Sequence, residues 1–229
     1  MCASLLATGQ NKPINLYFLP GLGSTPALFD SLLLDSSYER HYVDYHTPVK
    51  GTTMTEYAWS LLNQIDTTEP FILIGTSLGG MLATEMADVS CPDHVIIIAS
   101  AKTVEELPAR YRFQKHFPIQ KIVGPNLIKW STWILQPLVE PDSKKELDFY
   151  RNMLQEKDPL FMKRATDMIL GWERTTCDST IFHIHGDKDK TLPLRNIHAN
   201  VVVEGGSHMM TRANTKEIEA IIESTLFNE

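Results

Sequence analysis

Three side chains, far apart in the sequence, have the types and settings of a nucleophile, an acid and a base. Ser77 lies in Gly75-Thr76-Ser77-Leu78-Gly79-Gly80, directly behind the apolar run Phe71-Ile72-Leu73-Ile74 and ahead of Met81-Leu82-Ala83. A serine hydroxyl is a weak nucleophile until a neighbouring base takes its proton. A tight strand-to-helix turn presents such a hydroxyl well. Side chains at Gly75 and Gly79 would collide with neighbouring backbone there, and the helix that follows offers the Leu78 N–H to a developing oxyanion. G-x-S-x-G alone is a weak pattern. A buried strand before it and a helix after it give it meaning. The alternative is a turn of small residues without chemistry.

A base near neutral pH is most often histidine. Of the eight, His41, His94, His183 and His185 lie in or at the ends of predicted strands, which suits structural roles. His208 alone follows a late strand in a glycine-rich loop, Val203-Glu204-Gly205-Gly206-Ser207-His208. A carboxylate must hold its imidazole in the productive tautomer. Asp187 and Asp189, in His185-Gly186-Asp187-Lys188-Asp189, both qualify. Asp189 is preferred because the chain must clear the strand end before turning toward the histidine. A second oxyanion donor is expected in Leu19-Pro20-Gly21-Leu22-Gly23-Ser24-Thr25, and the Leu22 N–H is the choice. That loop lacks the third glycine of G-x-G-x-x-G and the lysine of a phosphate-binding loop. No cofactor is expected on it, and serine chemistry needs neither metal nor organic cofactor.

These residues require a scaffold that brings loops from several strands together. Apolar runs predict strands at Ile14–Leu19, His41–Tyr45, Phe71–Gly75, His94–Ala99, Thr180–His185 and Ala199–Val203. Runs such as Val95-Ile96-Ile97-Ile98 suit strands covered on both faces. Helix signals alternate with them. Thr25-Pro26 reads as an N-cap and first helical position, and Thr53 with Glu56 as a capping box. A last helix is expected from Asn214, and another after Leu192-Pro193. The fold class is therefore α/β, a doubly wound, mostly parallel sheet of about six strands. Residues 101–177 break the alternation with helical patterns and prolines. They are expected to form a helical cap inserted into a core of 1–100 and 178–229, emerging where open α/β sheets bind ligands. Extra helices packed beside the sheet are the alternative.

The net charge of −7 argues against a nucleic-acid binder. Segment 101–177 carries 13 basic and 10 acidic residues, so a mildly basic stretch sits in an acidic chain. Its run Arg110, Arg112, Lys115, His116 and Lys121 suits a solvated face or an anionic group, such as the phosphate of an acyl-thioester carrier. Its aromatics Trp130, Trp133, Phe149, Tyr150, Phe161 and Trp172 suit the segment's own core or a pocket lining. Three widely spaced cysteines, Cys2, Cys91 and Cys177, suit a reducing cytoplasmic setting. No stretch approaches the length of a membrane span, and Met1–Ala7 lacks the charge of a signal peptide.

With these residues in place the sequence resembles the α/β-hydrolase superfamily, in its esterase- and thioesterase-like branch. The resemblance rests on P-G-L-G-S, G-T-S-L-G-G, H-G-D-K-D-K-T-L-P and G-G-S-H-M, and on the order Ser77, Asp189, His208. It covers nearly the whole chain apart from the middle segment. It implies that Asp189, third after the glycine of H-G-x-x-D, is the acid. It also implies an acyl-enzyme hydrolase of a small ester or thioester, with a core reduced at its N-terminal end. Two departures stand out. Pro20-Gly21 replaces the His-Gly of many relatives, and the usual opening antiparallel strands are missing. A lyase, a C–C bond hydrolase and a non-catalytic receptor are alternatives on the same scaffold.

Overall fold

The computed structural model describes residues 13–116, 124–139, 144–177 and 180–227. Six strands form one sheet: β1 (Ile14–Leu19), β2 (Tyr38–Tyr42), β3 (Phe71–Thr76), β4 (His94–Ile98), β5 (Ile181–Gly186) and β6 (Val201–Val203). All pairs are parallel, in the order β2-β1-β3-β4-β5-β6. The sheet is thus the doubly wound α/β type that the apolar runs predict. The chain steps from β1 outward to β2, then returns to the other side of β1 as β3. Such a reversal opens a crevice beyond the strand ends. The loop after β1 and the turn after β3 both flank it, with Leu19 opposite Gly75 in register.

Eight α-helices occur among the described residues: α1 (Met54–Leu61), α2 (Leu78–Ser90), α3 (Ala109–His116), α4 (Pro125–Val139), α5 (Lys144–Glu156), α6 (Pro159–Leu170), α7 (Met210–Ala213) and α8 (Thr215–Phe227). The Thr53 capping box forms: Thr53 Oγ accepts the Glu56 amide at 3.2 Å and the Glu56 carboxylate accepts the Thr53 amide at 2.8 Å. At α6, Asp158 accepts the Leu160 and Phe161 amides, with Pro159 at the first helical position.

Three expected elements differ. β2 lies three residues earlier than His41–Tyr45. It is an edge strand whose extent is set by β1, from Ile14 opposite Tyr38 to Phe18 opposite Tyr42. The helix expected at Pro26 is a single 3₁₀ turn, Pro26–Phe29. The Arg40 guanidinium takes the Phe29 and Leu32 carbonyls at 2.7 and 2.6 Å and holds the chain at the end of that turn. The helix expected after Pro193 is also one 3₁₀ turn, Leu194–Asn196.

The described residues of segment 101–177 are mainly helical, with α4 packed on α5 and α6. Among the described residues these helices share the core of the sheet. Tyr150, Met153, Leu154, Phe161, Met162 and Met168 are buried in the same cluster as Leu19, Ile74 and Leu78. Polar ties reinforce the join. Trp172 Nε1 donates to the buried Glu85 carboxylate at 2.8 Å, and Arg174 grips Asp88 at 2.6 and 2.8 Å. Among the described residues no helix is long and apolar enough to cross a membrane.

Candidate active site

Ser77 caps α2 with φ 53° and ψ −119°. A non-glycine residue at positive φ costs about 1–3 kcal/mol and persists only where its surroundings impose it. Here they do. The Ser77 amide donates to Ile98 O at 3.0 Å, and its carbonyl accepts Ser100 Oγ–H at 2.7 Å and the Gly80 amide at 2.9 Å. A Cβ on Gly79 would fall on the Leu19 carbonyl, and one on Gly75 on the Gly79 carbonyl. Glycine therefore lets α2 approach both β3 and the loop after β1 at backbone distance. Gly21 closes over the turn, 3.2 Å from Ser77 Cβ to the position of a Cβ of its own. Tyr45 Oη holds the same loop by donating to Pro20 O at 2.9 Å. Burial raises the Tyr45 phenol well above its ordinary range, so it stays a donor. Among the described residues the Leu22 and Leu78 amides donate to no protein acceptor.

His208 and Asp189 arrive from the loops after β6 and β5. Those loops meet backbone to backbone: a Cβ on Gly186 would fall on the Gly206 carbonyl, and the Lys188 amide donates to Gly206 O at 2.9 Å. Asp187 spans the same junction, accepting the Gly205 amide at 2.7 Å and pairing with Lys188 at 3.1 Å. It is occupied away from the imidazole. Asp189 is the carboxylate that meets His208, with Oδ2 2.7 Å from Nδ1. A carboxylate only accepts, so Nδ1 carries the proton. Nε2 is then the acceptor facing Ser77 Oγ, 2.9 Å away. The other Asp189 oxygen accepts the Leu192 amide at 2.7 Å. The Asp189 side chain is fully buried, whereas that of His208 is 13% exposed. This line can pass a proton from a hydroxyl to an imidazole while a buried anion steadies the resulting cation.

Helix α5 contacts α7 and the loop after β1. Tyr150 Oη donates to Leu22 O at 3.3 Å, and Met153 Sδ accepts the Thr25 amide at 3.4 Å. Arg212 of α7 pairs with Glu146 at 2.8 Å and stacks 3.8 Å over the Phe149 ring. Of the other segment aromatics, Phe161 stacks on Tyr45, Trp172 is buried and Trp130 is exposed. The Trp133 side chain lies outside the described residues. Arg110 donates to the Lys190 and Thr191 carbonyls of the acid loop. The side chains of Arg112, Lys115 and His116, and all of Lys121, lie outside the described residues.

Sequence reasoning missed Ser100, Tyr45 and His185 as parts of this site. His185, in β5, brings Nε2 to 3.4 Å from Asp189 Oδ2. Its place four residues before the acid was the available signal.

The comparisons agree with this architecture. The chain superposes on a carboxylesterase of the ammonia-oxidizing thaumarchaeon Nitrososphaera gargenis (TM-score 0.71, 18% identity, 95% of this chain and 91% of that one). It also superposes on an esterase of Exiguobacterium antarcticum (TM-score 0.68, 16% identity, 93% and 91%). A putative lipase of Acinetobacter baumannii AYE gives a TM-score of 0.71 at 15% identity, covering 96% and 85%. At these identities the likeness establishes the fold. Comparison with curated protein sequences gave no match. The model of the alpha/beta hydrolase family matches residues 16–221, which span both the turn at Ser77 and the loop of His208. On that match across most of its length, the chain belongs to the alpha/beta hydrolase family.

Proposed function

We propose that this protein is a serine hydrolase of carboxylic esters or thioesters of small to medium size. The observation that carries the reading is the unbroken line from Ser77 Oγ through His208 to Asp189, at 2.9 and 2.7 Å. The esterase and lipase neighbours support it.

In this mechanism His208 Nε2 takes the Ser77 proton as Oγ attacks the substrate carbonyl carbon. The Leu22 and Leu78 amides receive the oxyanion, and Asp189 stabilises the His208 imidazolium. Collapse of the tetrahedral intermediate breaks the bond to the alcohol or thiol, which leaves with the proton held by His208. Water enters, gives its proton to His208, attacks the acyl carbon and releases the acid and Ser77. Residues 101–177 act as the cap over this site, with α5 forming the roof nearest the acyl group. The substrate is a small-molecule ester or thioester, with an acyl-carrier thioester as a further candidate.

The test is turnover of activated aryl esters and acyl thioesters of increasing chain length by wild type and Ser77→Ala. Wild type is expected to turn over short and medium chains. Ser77→Ala is expected to fall by at least about a thousandfold. Full activity in Ser77→Ala, or no turnover of any ester or thioester by wild type, removes the proposal.

A further inference from the structure

Two buried imidazoles take no part in the line just described. His183 and His185 stand at i and i+2 on β5, so their side chains leave the same face of the sheet. Both are 0% exposed. Their rings meet edge to face, with Nδ1 of His185 3.2 Å from Nε2 of His183. At its far side His185 Nε2 lies 2.7 Å from the Leu192 carbonyl and 3.4 Å from Asp189 Oδ2.

The protons on these rings follow from their neighbours. A carbonyl and a carboxylate only accept, so His185 Nε2 carries a proton. A neutral imidazole has one N–H, which leaves His185 Nδ1 as an acceptor and makes His183 Nε2 its donor. Burial pushes the His185 pKa below the ordinary imidazole range, against the upward pull of Asp189. The Leu192 carbonyl and Glu106 also pull upward, and His208 pushes down. Glu106 faces the ring from the 3₁₀ turn after β4, its carboxylate bound to the Lys102 and His198 amides at 2.6 and 3.0 Å. Burial lowers His183 further, with His185 and Lys102 adding to the effect. Both rings are therefore neutral.

We infer that His185 is a positioning residue for Asp189, and that His183 fixes the tautomer in which it serves. The inference rests on the hydrolase reading above. Asp189 stands in a loop, and its Oδ1 is bonded to the Leu192 amide of that same loop. A carboxylate tied only to its own loop moves with it. On the other side of its Cα, Leu192 is tied through its carbonyl to His185. His185 belongs to β5, which pairs with both β4 and β6. Leu192 thus transmits the position of a rigid strand to the carboxylate. Oδ2 is left aimed at His208, while the His185 N–H, 3.4 Å from that oxygen, is given to the Leu192 carbonyl. A charged His185 would compete with His208 for that oxygen. Burial prevents it.

The experiment begins with fluorophosphonate labelling of wild type at Ser77. Absence of labelling overturns the hydrolase reading, and this inference with it. With wild type labelled, His185→Leu and His185→Gln are compared. Leucine removes the N–H at similar volume, whereas glutamine keeps a donor near the position of Nε2. A loosened carboxylate stabilises the His208 imidazolium less, so the acid limb of kcat/KM, which reports the free-enzyme base, moves to lower pH. Expected for His185→Leu are that shift and a fall in kcat per labelled site of about a hundredfold at unchanged KM. His185→Gln is expected to keep the wild-type limb and recover to within about tenfold of wild-type kcat. An unmoved acid limb in His185→Leu overturns the inference, whether or not activity falls, because a merely structural loss leaves that limb in place. Should His185→Leu not fold, nitrogen NMR of wild type decides. His185 is expected to be neutral, with its proton on Nε2, at about pH 7.5. An Nδ1–H tautomer, or an imidazolium at that pH, overturns the inference.

Discussion

Replacing Gly79 by alanine adds one methyl group at the point where α2, β3 and the loop after β1 meet. Two effects oppose each other. Alanine favours a helix over glycine by up to about 1 kcal/mol, and less in the first turn, where Gly79 lies. Against that, the new Cβ would fall on the Leu19 carbonyl oxygen, 2.5 Å from the Leu19 carbonyl carbon and 2.8 Å from Pro20 O. All three are backbone atoms, so no rotamer change relieves the overlap. Ordinary contact begins at 3.4 Å, so the carbon alone would have to retreat by about 0.9 Å and the oxygen by more. Overpacking of this kind costs about 1–3 kcal/mol. The clash therefore outweighs propensity, and a net loss of about 1–2 kcal/mol is expected in urea unfolding. The activity effect should be larger. The retreating segment carries Gly21 and Leu22, and a displacement of about 1 Å in a positioning element costs about a hundredfold. Activity on an activated aryl ester is measured beside Gly124→Ala, whose Cβ would meet nothing within 4 Å. Wild-type stability and turnover in Gly79→Ala would refute the close-approach argument.

Three other outcomes follow from the same geometry. Asp189→Asn presents an amide to His208 Nδ1 and favours the wrong tautomer, so kcat should fall by about ten-thousandfold with KM little changed; a loss under about tenfold contradicts the assigned acid. Trp172→Phe leaves the buried Glu85 carboxylate without its 2.8 Å donor. That should cost about 1–3 kcal/mol in urea unfolding, and an unchanged midpoint contradicts it. Below about pH 6.5 the unfolded chain protonates His183 and His185, which the folded chain holds neutral. The unfolded state then binds more protons, so stability falls as pH drops. The urea midpoint should be lower at about pH 5 than at about pH 7.5, and His183→Leu should reduce that difference; equal differences contradict it.

How far the sequence foretold this structure depends on what each residue answers to. β1 matches its apolar run end for end, and Val95–Ile98 lies within β4, because strands buried on both faces have their limits written in side chains. β2 was displaced because it lies at the edge. Its ends follow the register of β1, which no local window contains. The spacing of glycines around Ser77, Asp189 and His208 was legible: Gly75, Gly79 and Gly186 stand where another backbone segment approaches closely, whereas Gly205 answers a positive φ with nothing near its Cβ. The partners behind them were not. Nothing around Ser100 announces that its hydroxyl holds the Ser77 carbonyl, and Tyr45 reaches Pro20 from another strand's loop. The described helices of the middle segment follow its helical pattern, since periodicity records a buried face. What that face packs against is a tertiary matter, as in the contacts of Tyr150 with Leu22 and Arg212 with Glu146.

The central claim is that Ser77 is a nucleophile activated by His208. Mass spectrometry of the protein after treatment with an alkyl fluorophosphonate tests it most directly. One adduct per chain is expected, located on Ser77 and forming rapidly in wild type. In His208→Ala the rate should be at least about a thousandfold lower. No adduct, an adduct on another residue, or equal labelling without His208 would contradict it.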